Sequence, residues 1–172
     1  TMVSSGATEG LAACFLGLLN QGDEVVVIEP LYDCYLPMIE RAGGIPKRVS
    51  VEPPEWKLDG SALRAAFSDK TKLVLINSPQ NPSSKVYHRE ELLLIADLVK
   101  EHDAIAICDE VYEHMVYDHR QHIPLMTLPG MRDRSIRIGS AGKTFSLTGW
   151  KVGYLTGSEE LLKAVSKAHQ FL

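Results

Sequence analysis

Lys143 stands in the stretch Ser140-Ala-Gly-Lys-Thr-Phe-Ser-Leu-Thr-Gly-Trp-Lys-Val-Gly-Tyr154, with a hydroxyl three residues before it and a second cation, Lys151, eight residues after it. The apolar run Ser135 to Ile138 precedes this loop and a second strand-like run, Lys151 to Thr156, follows it. The lysine therefore lies between two buried elements rather than on a helix surface, and Ser and Gly leave room for a bulky group to reach the amine. Such surroundings suit a Schiff-base lysine, whose amine must lose enough solvation to be neutral and nucleophilic near pH 7. The expectation is a desolvated Lys143.

The elements that position this loop alternate between strand and helix. A strand ends near Ser5, and Ala7 to Asn20 carries the helical period through Leu11, Phe15, Leu18 and Leu19. Gln21-Gly22-Asp23 closes that helix. The β-branched run Glu24 to Ile28 leads to a helix from about Tyr32 to Arg41, a strand near Pro46 to Val51, and a short helix opened by Leu58-Asp59-Gly60 and ending at Phe67. Lys72 to Ile76 is a further strand and Asn77 to Ser84 a loop rich in Pro and Asn. His88 to Glu101 reads as an amphipathic helix with Leu92, Leu93, Ala96, Leu98 and Val99 inward. Ala104 to Cys108 is a strand that ends abruptly at Asp109-Glu110, and the strands on either side of Lys143 with a helix from Glu159 to His169 complete the chain. Continuous apolar strands joined by helices predict an α/β fold: three layers, α/β/α, around a mostly parallel sheet buried on both faces. Neither a repeat nor a linker divides residues 1–172, so one α/β domain is expected.

In open parallel sheets, ligands bind beyond the carboxyl ends of the strands. The residues that follow the strands are Ser5-Gly6-Ala7-Thr8, Asn77 to Asn81, Asp109 to Tyr112, and Ser140 to Lys143. Each group alone reads as a helix start, a turn or a solvated strand end; their shared edge is what favours a site. Gly6 and the first amides of the helix, at Ala7 and Thr8, form an anion site suited to a phosphate, to which Ser140 and Lys151 add a hydroxyl and a positive charge. Asp109, after a buried strand, is an acceptor for a cationic ring N–H. Asn81 and Tyr112 are neutral donors suited to a phenolate oxygen, and Tyr32 offers an aromatic face for stacking. A phosphate, a pyridinium, a phenolate oxygen and a lysine adduct together describe pyridoxal 5′-phosphate, whose signature is a Schiff-base lysine with an acidic partner at the ring nitrogen.

Over its whole length the sequence resembles the class I/II, fold-type-I aminotransferases. The stretches that carry the likeness are Ser5-Gly-Ala-Thr8, Glu29-Pro-Leu-Tyr-Asp-Cys-Tyr35, Asn77-Ser-Pro-Gln-Asn-Pro82, Asp109-Glu-Val-Tyr112, and Ser140-Ala-Gly-Lys-Thr-Phe145 with Gly149-Trp-Lys-Val-Gly-Tyr154. A narrower resemblance, to the kynurenine aminotransferase, cysteine-conjugate β-lyase and methionine aminotransferase branch, rests on Asp33-Cys34-Tyr35, Val111 to Tyr117, His122-Ile-Pro and Leu128-Pro-Gly-Met131. The resemblance implies transfer of an amino group from an L-amino acid to a 2-oxo acid. It assigns the Schiff base and proton shuttling to Lys143, the ring nitrogen to Asp109, the phenolic oxygen to Tyr112 and Asn81, and ring stacking to Tyr32. The phosphate falls to Ala7, Thr8, Ser140 and Lys151, Asn77 lines the site, and Asn81 also touches the substrate carboxylate. It also implies a homodimer. The family's small domain, with the Arg that clamps the substrate carboxylate, has no counterpart in these residues, so the chain reads as a large domain truncated at both ends. The loop Asn81-Pro82-Ser83-Ser84 departs from the family's usual Asn-Pro-Thr-Gly. Two other readings share the scaffold: a C–S β-lyase, and the aminotransferase-like sensor domain of a transcription regulator.

Composition narrows the partners. A net charge of −4 without any Lys/Arg run argues against nucleic acid, and no apolar stretch has the length of a membrane span. Three cysteines, Cys14, Cys34 and Cys108, cannot all pair and have no metal-ligand spacing, which suits buried, reduced thiols in the cytoplasm. The six histidines, His119 and His122 included, fall in polar stretches that read as exposed, so no metal is expected.

Overall fold

Strand and helix alternate through residues 1–172, all of which the computed structural model describes. The elements are β1 (Met2–Ser5), α1 (Ala7–Leu18), β2 (Glu24–Glu29), α2 (Tyr35–Arg41), β3 (Ile45–Ser50), α3 (Gly60–Ala66), β4 (Thr71–Asn77), α4 (Arg89–Glu101), β5 (Ile105–Asp109), β6 (Ser135–Ser140), α5 (Ala141–Thr144), β7 (Val152–Thr156) and α6 (Glu159–His169). One sheet holds all seven strands in the order β1-β7-β6-β5-β4-β2-β3. The pairings from β6 through β3 are parallel; β7 runs antiparallel to both its neighbours, β6 and β1.

The period of two along each strand divides the core into two halves. Val25 and Val27 of β2, Leu73 and Leu75 of β4, Ile107 of β5, and Ile136 and Ile138 of β6 pack with Leu11 and Phe15 of α1, Ile39 of α2 and Val165 of α6. The alternate residues Val26, Ile28, Val74, Ile76, Ala106 and Cys108 pack with Leu63 of α3 and with Leu92, Ile95 and Val99 of α4. Both faces are covered, which is why these strands read as unbroken apolar runs, and the expected three-layer α/β/α architecture is what forms.

Two elements differ from their sequence reading. Helix α2 begins at Tyr35, not Tyr32, because Tyr32 to Cys34 form a turn closed by the Tyr35 N–H donating to the Tyr32 carbonyl at 3.2 Å. Tyr32 is thereby left in the loop leaving β2, free of helical direction. In α4 the inward residue is Ile95, fully buried, whereas Leu93 is 37% exposed. Leu92, Ile95, Ala96 and Val99 make the i, i+3, i+4, i+7 stripe, and Leu93 falls outside it.

The loop from Asn77 to Lys85 is tied down at its far end by a buried ion pair. Lys85 is 5% exposed and its Nζ lies 2.7 Å from Glu91 Oε1 and 4.9 Å from the centre of the Tyr87 ring. Glu91 also accepts the Leu58 N–H at 3.1 Å and the His88 N–H at 2.9 Å, so one carboxylate joins the loop, the start of α4 and the approach to α3. Those contacts hold the Glu91 carboxyl below the usual range despite its partial burial. Removing the cation leaves Glu91 with two backbone donors and some access to water. Lys85→Met in the full-length protein is therefore expected to cost about 2–3 kcal/mol of unfolding free energy by denaturant titration, somewhat less than a fully buried pair; a change under about 0.5 kcal/mol would rule out this anchoring.

Candidate active site

Each row of residues facing α1 and α2 starts apolar and ends polar. In β4 the row is Leu73, Leu75, Asn77; in β5 it is Ile107, Asp109; in β6 it is Ile136, Ile138, Ser140. The same alternation that buries the strands thus delivers an amide, a carboxylate and a hydroxyl to one edge of the sheet. Because β7 is antiparallel, its first residues lie at this edge too: Ser5 pairs with Val152 and Ser140 with Gly153. A cavity of about 390 Å³ opens there, and Gly6, Ala7, Thr8, Tyr32, Asn77, Asn81, Asp109, Tyr112, Ser140, Lys143 and Lys151 all line it. The fold brings together every residue that the sequence singled out for the site.

Asp109 is 4% exposed and carries no cationic partner. Its Oδ2 accepts the Tyr35 hydroxyl at 2.6 Å, and its Oδ1 accepts the Val111 N–H at 3.3 Å. Burial pushes the carboxyl up to about 6; the Tyr35 and Val111 hydrogen bonds act in the opposite direction but do not cancel it, and Glu110 nearby adds a smaller upward push. The Tyr35 phenol is raised well above its ordinary value by its own burial and then by the Asp109 charge, so it stays a donor. Asn77 secures the backbone around Asp109: its Nδ2 donates to the Asp109 carbonyl at 2.9 Å, and its Oδ1 accepts the Asn81 N–H at 2.7 Å. Gln80 Nε2 donates to the carbonyls of Ile28 and Pro30, at 3.2 and 2.9 Å, and binds the same loop to the end of β2.

The α1 end of the cavity is built from backbone. Gly6 takes φ of 82° at the N-cap and no side chain caps the helix. The first amides of α1 are therefore free to face an anion, aided by the helix dipole. The turn is fitted closely against β7: a Cβ on Gly153 would sit 2.5 Å from the Gly6 carbonyl carbon and 2.7 Å from the Ala7 nitrogen. Lys151 adopts a left-handed backbone with φ of 54° at the end of a 3-10 turn, Thr148–Trp150. Ser140 caps the single-turn helix α5, its Oγ accepting the Lys143 N–H at 3.4 Å.

Lys143 differs from expectation in one respect. The residue lies at the cavity but is exposed, with its Nζ 5.7 Å from the centre of the Tyr112 ring. Helix α5 projects beyond the sheet edge, and exposed Phe145, Leu147 and Trp150 follow it, so no element of residues 1–172 covers the amine. His122 differs too. Its side chain is 7% exposed, with Nε2 3.0 Å from Glu110 Oε2, although the angles do not make a hydrogen bond. The polar stretch around it hid a fold-back onto Glu110. Cys14, Cys34 and Cys108 are all free, and Cys34 is only half-buried. Burial, followed by the Asp109 and Asp33 charges, pushes the Cys34 thiol up to about 11.

Sequence reasoning missed Tyr35 as part of the site. The signal was present: Tyr35 follows Tyr32 by three residues and opens a helix whose other buried residue is Ile39. A tyrosine on a buried stripe needs a hydroxyl partner, and the nearest polar strand end supplies it.

The sequence profile of the family "aminotransferase class I and II" matches residues 1–172. The chain belongs to the class I and II aminotransferases. Among curated members, kynurenine–oxoglutarate transaminase 1 of Homo sapiens is 46% identical over 180 residues, covering 98% of this chain and 43% of its own length. Kynurenine–oxoglutarate transaminase of Dictyostelium discoideum is 46% identical over 188 residues, with 99% and 43% covered. The chain therefore spans less than half the length of these aminotransferases. N-succinyldiaminopimelate aminotransferase from Mycobacterium tuberculosis superposes with a TM-score of 0.96 at 44% identity, over 99% of this chain and 45% of that one. An Escherichia coli protein with a methionine aminotransferase function superposes with a TM-score of 0.95 at 37% identity, over 99% and 45%. The fold-type-I likeness and the narrower kynurenine aminotransferase likeness of the sequence agree with these relatives.

The raised Asp109 carboxyl makes the stability of the fold depend on pH. The folded state takes up this proton near pH 6 and the unfolded chain near 4, so this group favours folding as pH falls from 7 towards 4. The stability of wild type relative to Asp109→Asn should rise by about 2–3 kcal/mol over that interval in denaturant titrations; a difference that does not move with pH would contradict the burial argument. At the other end of the cavity, Gly153→Ala drives a methyl into the Gly6–Ala7 backbone. The full-length variant should fold but bind inorganic phosphate at this helix N-terminus at least about tenfold more weakly by calorimetry.

Proposed function

We propose that this chain is the cofactor-holding part of a pyridoxal 5′-phosphate-dependent aminotransferase, which moves an amino group from an L-amino acid to a 2-oxo acid. Membership of the class I and II aminotransferases implies the cofactor. The observation that carries the reading is one cavity lined by a buried carboxylate, an uncapped helix N-terminus and a lysine amine. These are the groups that a pyridinium, a phosphate and an aldehyde require. When bound, pyridoxal 5′-phosphate supplies an electron-poor ring that takes up the electron pair left as a substrate Cα proton departs.

The chain's own residues do the rest. Asp109, ionised, accepts the hydrogen of the ring nitrogen, and its removal from water strengthens that attraction. The Tyr112 hydroxyl and the Asn81 amide would donate to the phenolic oxygen, and the Tyr32 ring would stack on the cofactor. The N–H groups of Ala7 and Thr8, the Ser140 hydroxyl and the Lys151 ammonium hold the phosphate, with Gly6 letting the backbone turn close to it. Lys143 would be the point of attachment, and its Nζ, once displaced by the incoming substrate amine, would be the free base that takes the proton from the substrate Cα.

Kynurenine as donor and 2-oxoglutarate as acceptor are the first pair to assay, because the curated relatives carry those names. A homodimer is the proposed working form. Phe145, Leu147 and Trp150, exposed beside Lys143, are the apolar surface that the full-length assembly would cover, and covering it would also desolvate the amine.

In the full-length protein incubated with pyridoxal 5′-phosphate, borohydride reduction and peptide mapping should place the label on Lys143 alone. A label on Lys151 or any other lysine would overturn the assignment. Lys143→Ala should lower amino transfer by at least about 10³-fold, and Asp109→Asn by about 10²-fold while retaining bound cofactor. Near-normal turnover in either variant would refute the role of that residue.

A further inference from the structure

The Asp109 carboxylate is oriented by few groups for a buried charge, and only one of them is a side chain. Tyr35 donates to Oδ2 at 2.6 Å, a length typical of a hydroxyl bound to an ionised oxygen, while Val111 N–H reaches Oδ1 at 3.3 Å. The nearby cation Arg137 is engaged elsewhere: it donates to Glu110 Oε2 at 2.6 Å and also pairs with Glu113. Tyr35 in turn has little freedom. It is 2% exposed, sits in the first turn of α2 within the cluster that includes Leu75 and Ile107, and meets Tyr32 edge-on with ring centres 5.8 Å apart.

We propose that Tyr35 is a positioning residue, which fixes the Asp109 carboxylate so that one oxygen stays aimed at the ring nitrogen of the bound cofactor. The proposal rests on the assignment of this cavity to pyridoxal 5′-phosphate. A carboxylate has about four acceptor directions; the phenol occupies one on Oδ2, and the backbone amide one on Oδ1. Without the phenol, Asp109 turns about its side-chain bonds with a single weak restraint. The same aromatic pair also joins the two groups that touch the ring, since Tyr32 packs on Tyr35 and Tyr35 bonds Asp109. An error in the placement of one is thus shared by the other.

The test is a double-variant cycle in the full-length protein. Tyr35→Phe keeps the buried ring and removes only the hydroxyl, so packing is preserved. Cofactor dissociation constants are measured on the cofactor-free forms of wild type, Tyr35→Phe, Asp109→Asn and the double variant, by absorbance titration with pyridoxal 5′-phosphate. Tyr35→Phe should raise the constant about tenfold in the wild-type background, the scale of one hydrogen bond to a charged group. In the Asp109→Asn background the same change should alter it less than about twofold, because the group it orients has lost its charge. Equal effects in the two backgrounds, or none in the wild type, would overturn the role of Tyr35. Wild-type protein that binds no cofactor would instead overturn the proposed function.

Discussion

A buried carboxylate without a cation, at the end of the central strand, is the constraint around which the site is arranged. Removing such a charge from water costs several kcal/mol unless other groups replace the lost hydration. For the Asp109 carboxylate those groups are a phenol from α2 and an amide from the turn after β5, while Asn77 and Ser78 at the β4 end fix its backbone by donating to its carbonyl at 2.9 and 3.1 Å. The carboxylate's position is therefore a joint property of two strands, a helix and a turn. Rigid support from several elements is what a group that must meet one atom of a ligand requires.

The adjacent residue shows how strongly placement decides chemistry. Glu110 is as buried as Asp109, at 2% against 4%, yet it bonds Arg137 at 2.6 Å and lies beside His122. Arg137 alternates with Ile136 and Ile138 along β6, so this pair belongs to the opposite face of the sheet from Asp109. Two neighbouring acids thus serve different ends: Glu110 closes an ion-pair network with Arg137 and Glu113, to which the Tyr154 hydroxyl donates at 3.0 Å, while Asp109 faces the cavity. The difference follows from a period of two and not from residue type.

Much of this was legible in the sequence because it depends on local rules. Apolar runs such as Lys72 to Ile76 and Ala104 to Cys108, too short for helices and joined by helical segments, read as strands covered on both faces, which puts the polar residue after each at the sheet edge. What local rules could not show were the long-range contacts. The Tyr35–Asp109 bond joins residues far apart in the chain, His122 folds back onto Glu110, and the exposure of Lys143 depends on what lies above α5 rather than on its neighbours in sequence. The misplaced start of α2 and the choice of Leu93 over Ile95 have a different cause. Both were boundary and phase errors within elements otherwise assigned correctly.

The antiparallel strand β7 also sets when the cavity can exist. β1 enters the sheet only through β7, with Ser5 opposite Val152 and Met2 opposite Leu155, so β1 has no place in this sheet until β7 has been made. The loop closure required is nearly as long as residues 1–172 allow, and contacts of such separation form late and slowly. During synthesis β2, β4, β5 and β6 can assemble side by side as they emerge, while β1 and the uncapped start of α1 wait. The anion-binding end of the cavity is thereby the last part of this sheet to be built, and Asp109 at the other end can be in place before it.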